Sequence, residues 1–358
     1  MTTPDGSHEP VQEPAAAEEP TAAAVATPAG QAERRLRRKV AVVLFLVALL
    51  TLFSVIAGAY LLTRKPITEL PLPGIGNEKL PHYAFSIYGT SRPMGVAVSP
   101  SGDRIYVTET DGDRVVRIYD RSGKSVGTIK PPATTGAMHV PVYIALDPAS
   151  GDVYVSDRPS QAVYVYDRDG RYRRTFQPKA DVGGGWRPLG LAFDPSGSLY
   201  VTDVSGPAHR VLVLARDGTL VRTLGAPGQL SFPNGVAIDP RGNTYVSDSN
   251  NGRVVIFDPT GKLIGSIRRG VGQGDLGLPR GTAIDDSDRL YVVDTASQRV
   301  QLYRLDPAKS KLPVYLGAFG VEGRSEGAFE YPNGVAVDTR ARIYVTDREN
   351  NRVQVWSY

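Results

Sequence analysis

Six acidic side chains recur at near-even spacing through most of this 358-residue chain: Glu109, Asp157, Asp203, Asp248, Asp294 and Asp347. Arginines follow five of them, at Arg114, Arg210, Arg253, Arg299 and Arg352. A ring of such groups could hold a charged ligand. A single site, however, does not need five copies of one pair. The recurrence reads instead as an ion pair inside each repeat that fixes the loop between two strands. Other chemistry is thinner. The chain has no cysteine, which removes disulfides, thiolate nucleophiles and Cys-type zinc sites. Its four histidines, His8, His82, His139 and His209, share no metal-ligand spacing. The glycine run from Gly270 to Asp275 lacks the Gly-Lys-Ser/Thr ending of a phosphate-binding loop. A similar run, Gly320 to Gly327, sits at the same place in the next repeat, so both read as connections between repeats.

The elements that carry these residues come from one phrase used six times. It runs Pro, any residue, Gly or a substitute, a short apolar strand, an acidic residue, a turn, then Tyr-Val-Ser/Thr-Asp. The copies begin at Pro93, Pro141, Pro188, Pro233, Pro279 and Pro332. The clearest, Pro233 to Ile267, predicts four strands: Gly235–Ile238, Thr244–Ser247, Arg253–Phe257 and Lys262–Ile267. Along the third, Val254 and Ile256 alternate with Val255 and Phe257, as in a sheet covered on both faces. Four-stranded units at a period of about 45 residues are propeller blades. One blade cannot cover its own faces, so six must stack into a ring. The fold class is all-β, a six-bladed propeller of antiparallel blades. The last copy stops after its third strand. The alternating segment His82 to Gly89 is expected to supply the missing strand, with Tyr83, Phe85 and Ile87 on one side.

The motifs Pro-x-Gly-Val-Ala-x-Asp, Tyr-Val-x-Asp and Asn-x-Arg-Val resemble the NHL repeat family over residues 81 to 358. Copy two departs most, with Tyr143 in place of Gly and Ala162 in place of Arg. The resemblance implies the propeller fold and leaves function open, because similar propellers bind proteins, bind RNA or act as lactonases and lyases. Propellers similar to amidating lyases hold zinc with three histidines, and those here are dispersed. Lactonase-like propellers hold a cation at the central mouth with Glu, Asn and Asp. The matching positions, between Pro and Gly, are Met94, Val142, Leu189, Asn234, Arg280 and Asn333. They offer two asparagines but no carboxylate, and a guanidinium opposes a cation. No catalytic residue, metal or cofactor is therefore expected. These six residues instead suggest a ligand-binding mouth, apolar on the Met94, Val142 and Leu189 side and polar on the Asn234, Arg280 and Asn333 side. An anionic, partly apolar ligand such as a peptide carboxyl end would suit it. The rival expectation is that Asp285 or Asp286 neutralises Arg280.

Ahead of the propeller, residues 40–62 form 23 uncharged, mostly apolar positions, long enough to span a bilayer. Arg34, Arg35, Arg37, Arg38 and Lys39 precede them, and only Arg64 and Lys65 follow. The heavier basic flank stays inside, which predicts a single-pass protein of the cytoplasmic membrane with the propeller outside. Residues 1–39 read as a disordered cytoplasmic tail, 40–62 as a transmembrane helix, 63–80 as a linker and 81–358 as the propeller. A net charge of +4 on 41 basic and 37 acidic residues is too balanced for a nucleic-acid binder. The expected role is a binding or scaffold module for an envelope protein, peptide or glycan. A lactonase- or lyase-type enzyme is the alternative.

Overall fold

The computed structural model describes residues 28–63, 79–133, 138–207, 209–305 and 312–358, with side chains over 37–54 only in the first stretch. The chain divides into two units, Met1–Asn77 and Glu78–Tyr358. The described part of the first is one helix, Pro28–Thr63. It takes in 28–39, which composition assigns to the tail. Proline is tolerated in the first helical turn, and the Gln, Ala, Glu, Arg, Leu and Lys that follow are good helix formers. Every described side chain over 37–54 is exposed, Leu50 at 67% and Phe53 at 68%. The Thr51 hydroxyl donates back to the Val47 and Ala48 carbonyls at 3.0 and 2.9 Å. Among the described residues no helix is long and apolar enough to cross a membrane. Those described side chains include Arg37, Arg38 and Lys39, and they stop short of 55–62. Residues 1–27 and 64–78 lie outside the described residues.

The second unit is a ring of six four-stranded antiparallel sheets. Blade four runs Pro233–Ile238, Thr244–Asp248, Arg253–Phe257 and Leu263–Ile267 from the inside outward. The third strand alternates as its sequence requires. Val255 and Phe257 enter the core shared with blade three, and Val254 and Ile256 the core shared with blade five. Each of the six blade interfaces has one such core.

Blade six closes the ring with both ends of the unit. His82–Ile87 pairs antiparallel with Arg352–Ser357 and completes the sheet begun by Pro332–Val337 and Ile343–Asp347. The expected one-sided face of this strand is not what forms. Its register shifts between Tyr83 and Phe85, a bulge that flips the side chains beyond it. Tyr83 packs edge-on against Trp356 in the core between blades five and six. Phe85 and Ile87 pack in the core between blades six and one.

Two devices recur at the inner ends of the blades. The first strand bulges after its proline, as between Pro93 and Val96 or Pro233 and Val236, so one extra residue faces the axis. The glycine in that bulge abuts the next blade's backbone. A Cβ on Gly190 would lie 1.8 Å from the Asn234 carbonyl oxygen, and one on Gly235 2.3 Å from that of Arg280. In blades one, two, three and six the hydroxyl of the Tyr-Val-Ser/Thr-acid strand then ties neighbours together. Thr108 donates to the Val142 carbonyl at 2.8 Å, Ser156 to that of Leu189 at 2.7 Å, and Thr346 to that of Met94 at 3.0 Å.

Candidate functional site

The recurring acids are buried anchors. Asp248 accepts the Ser231 N–H at 2.6 Å and Asp347 the Glu330 N–H at 2.7 Å, each closing the connection into its own blade. The expected arginine completes the arrangement in blades three, four and six, where Arg210, Arg253 and Arg352 meet Asp203, Asp248 and Asp347 at 3.0, 2.8 and 2.7 Å. Blade one differs. Strand register places Val115 opposite Glu109, so Arg114 takes the preceding left-handed position, with φ 54°. Arg117 makes the pair instead, at 3.0 Å. In blade five Arg299 is exposed, and Asp294 is held by the Gly277 and Leu278 N–H groups and the Ser297 hydroxyl. In blade two, where Ala162 stands in the arginine position, His139 lies 3.3 Å from Asp157. The charges thus serve loop closure, and they are not a shared ring.

The three described histidines do not meet. His139 is at blade two, His209 accepts the Phe232 N–H through Nδ1 at 2.9 Å, and His82 lies on the outermost strand of blade six. Among the described residues no group of three His, Cys, Asp or Glu could hold a metal ion.

The six bulge residues do converge. Val142 and Leu189 cluster with Met94, and Asn234, Arg280 and Asn333 meet around Tyr143. Tyr143 is the residue that replaces glycine in blade two, and it plugs the axis. Its hydroxyl donates to Asn234 Oδ1 across the ring in blade four at 3.3 Å and accepts from Asn333 Nδ2 in blade six at 3.3 Å. Arg280 donates to the same Asn234 Oδ1 at 3.2 Å, and Asn234 Nδ2 donates to Ser249 Oγ at 2.7 Å. Burial pushes the Tyr143 phenol up to about 12, against the attraction of Arg280. Asn234, Asn333, Val142 and Leu189 are 0–4% exposed, so they form the floor and hold the plug. Met94 and Arg280 keep partial exposure above it.

Arg280 makes no ion pair among the described residues. Asp285 is engaged elsewhere, by Arg289 at 2.7 Å and the Tyr291 hydroxyl at 2.8 Å. Two further arginines join Arg280, and neither figures in the sequence pattern. Arg92 precedes the proline of blade one, and Arg348 follows the buried acid of blade six. Both bind Glu349, at 2.5 and 3.0 Å. Burial, then the charges of Arg92 and Arg280, push Arg348 below the usual guanidinium range, with Glu349 opposing. The Nε atoms of all three arginines are buried without a hydrogen-bond partner among the described residues. The sequence signal for the plug was the loss of glycine in copy two. Arg92 and Arg348 lie at varying positions of the repeat and carried none.

Comparison with known proteins agrees with this architecture. The NHL repeat model matches residues 230–257 and 329–356, the blade-four and blade-six copies. No curated protein is significantly similar to the sequence. Solved structures share the fold at low identity. A streptogramin B lyase aligns at 13% identity over 76% of this chain and 96% of that one, with a TM-score of 0.53. Virginiamycin B lyase from Staphylococcus aureus aligns at 14% over 74% and 94%, with a TM-score of 0.52. A protein of unknown function from Bacteroides thetaiotaomicron aligns at 19% over 79% and 72%, with a TM-score of 0.58. Four-stranded blades, their repeating bulge and these matches together identify the chain as a six-bladed β-propeller, two of whose blades match the NHL repeat.

Proposed function

We propose that this propeller is a ligand-binding module, carried on a membrane by residues 40–62 and held outside the cytoplasm, whose axial mouth recognises an anionic group. One observation carries the reading: Arg280 reaches the mouth uncompensated by any carboxylate among the described residues, with its Nε buried and unpaired. A buried polar atom without a partner is costly, and an incoming oxyanion would supply one. The floor residues fix Arg280 through Asn234, so the guanidinium is preorganised. Met94, half exposed on the other side, can take an apolar portion of the same ligand. The membrane part rests on the charge asymmetry around residues 40–62 and on the uncovered apolar surface of the helix over 40–53. An envelope protein, peptide or glycan bearing an acidic group fits this placement. The lyase structures share only the fold with this chain, and a lactonase- or lyase-type enzyme is the alternative reading.

The test uses the detergent-solubilised full chain and a peptide array with free or amidated carboxyl ends. Retention is expected to favour the free carboxylates and to vanish in Arg280→Glu, with the melting temperature nearly unchanged. Equal retention by parent and Arg280→Glu would refute the reading.

A further inference from the structure

The mouth holds more charge than one carboxylate requires. Arg92, Arg280 and Arg348 contribute three positive charges, and among the described residues Glu349 is the one acidic side chain bound to any of them. Asp347 is taken by Arg352, Glu109 by Arg117, and Asp294 faces backbone N–H groups and Ser297. The three arginines against Glu349 leave a local balance of two positive charges, and the charges of Arg92 and Arg280 add to burial in disfavouring the charged form of Arg348. Arg158 holds the equivalent position in blade two. It follows the buried acid of blade two as Arg348 does that of blade six, it is exposed, and it forms no ion pair among the described residues.

We infer that the mouth selects a dianion, a phosphomonoester, over a monoanionic carboxylate or sulfonate. This rests on the mouth being the ligand site, and it names the class of ligand. A phosphomonoester carries about −1.5 to −2 charge at neutral pH and three strong acceptor oxygens. It can neutralise the surplus and accept from the outer N–H groups of the guanidinium forks. Guanidinium forks match its geometry, where a carboxylate would leave one charge and one donor unmet. Asn234 cannot take that role, since its Oδ1 already accepts from Arg280 and Tyr143.

The experiment is calorimetric titration of the solubilised full chain with phenyl phosphate, benzoate and benzenesulfonate at one ionic strength. At pH 8 phenyl phosphate should bind at least tenfold tighter than the two monoanions. At pH 5, below the second phosphate pKa of about 6, that preference should collapse. Arg280→Gln and Arg348→Gln should each lower phosphate affinity at least tenfold. Glu349→Gln should raise it, a gain that misfolding cannot imitate. Comparable affinities for all three probes at pH 8 would overturn the dianion inference and leave the anion site standing. Saturable binding of none of them would overturn both.

Discussion

Tyr143→Gly sets the repeat pattern directly against the structure. Five of the six copies have glycine at this position, so agreement with the repeat would argue that the change stabilises the ring. The structure argues the opposite. Tyr143 is 7% exposed, and its hydroxyl joins blade two to Asn234 of blade four and Asn333 of blade six. Removing a buried aromatic side chain costs about 3–5 kcal/mol through lost burial and the cavity left behind. Water entering from the mouth can replace the hydrogen bonds to both asparagines, but not the dispersion contacts of the ring. The lower half of the range is therefore expected, a fall in melting temperature of roughly 6–15 °C for a domain of this size. Tyr143→Phe separates the two contributions. It keeps the ring and leaves two floor amides short of a partner, at about 1–2 kcal/mol. Differential scanning calorimetry of parent, Tyr143→Phe and Tyr143→Gly should rank them in that order. A Tyr143→Gly protein melting at or above the parent would show that the phenol is not a keystone of the axis.

The remaining predictions address packing, closure, pH and topology. Gly190→Ala places a methyl group 1.8 Å from the Asn234 carbonyl, so it should destabilise by about 1–3 kcal/mol or more, whereas Gly151→Ala, with open space around it, should show only its backbone cost; equal melting shifts would contradict the close blade contact. Deleting 81–89 removes the outer strand of blade six, with Ile87 fully buried and Tyr83 and Phe85 partly so, worth about 3–6 kcal/mol of apolar burial beyond the sheet hydrogen bonds. Aggregation or loss of cooperative melting is expected, and a deletion that melts like the parent would refute ring closure by this strand. The phenols of Tyr119, Tyr143 and Tyr344 are pushed up to about 12, chiefly by burial. Their contribution is full below the unfolded value of about 10 and fades as pH rises toward 12, so denaturant midpoints should fall across that window. Protease added outside intact cells should remove the propeller and spare an N-terminal tag; a tag cut from outside would reverse the proposed topology.

The local pattern carried the fold because each instruction in it is local. The alternation of Val254 to Phe257 demands two buried faces, and the period of the prolines counts the blades. The missing last strand was legible for the same reason, since a three-stranded blade and an orphan strand imply one another. The bulge at Ala84 was not, and it moved Tyr83 to the opposite face from Phe85 and Ile87. Nor was the choice of Arg117 over Arg114, which a one-residue shift in register decided. The mouth divides along the same line. The six bulge residues could be named from the repeat, because one backbone geometry places all of them alike. What those side chains and the arginines beside them do depends on partners 46 to 257 positions away in sequence. Tyr143 reaches Asn234 and Asn333 across the axis, Arg280 reaches Asn234 in the neighbouring blade, and Glu349 reaches Arg92 across the ring closure. Repeat sequence specifies each blade's own strands and turns. Only closing six blades on one axis decides which side chain fills the centre and which charges are left facing the mouth.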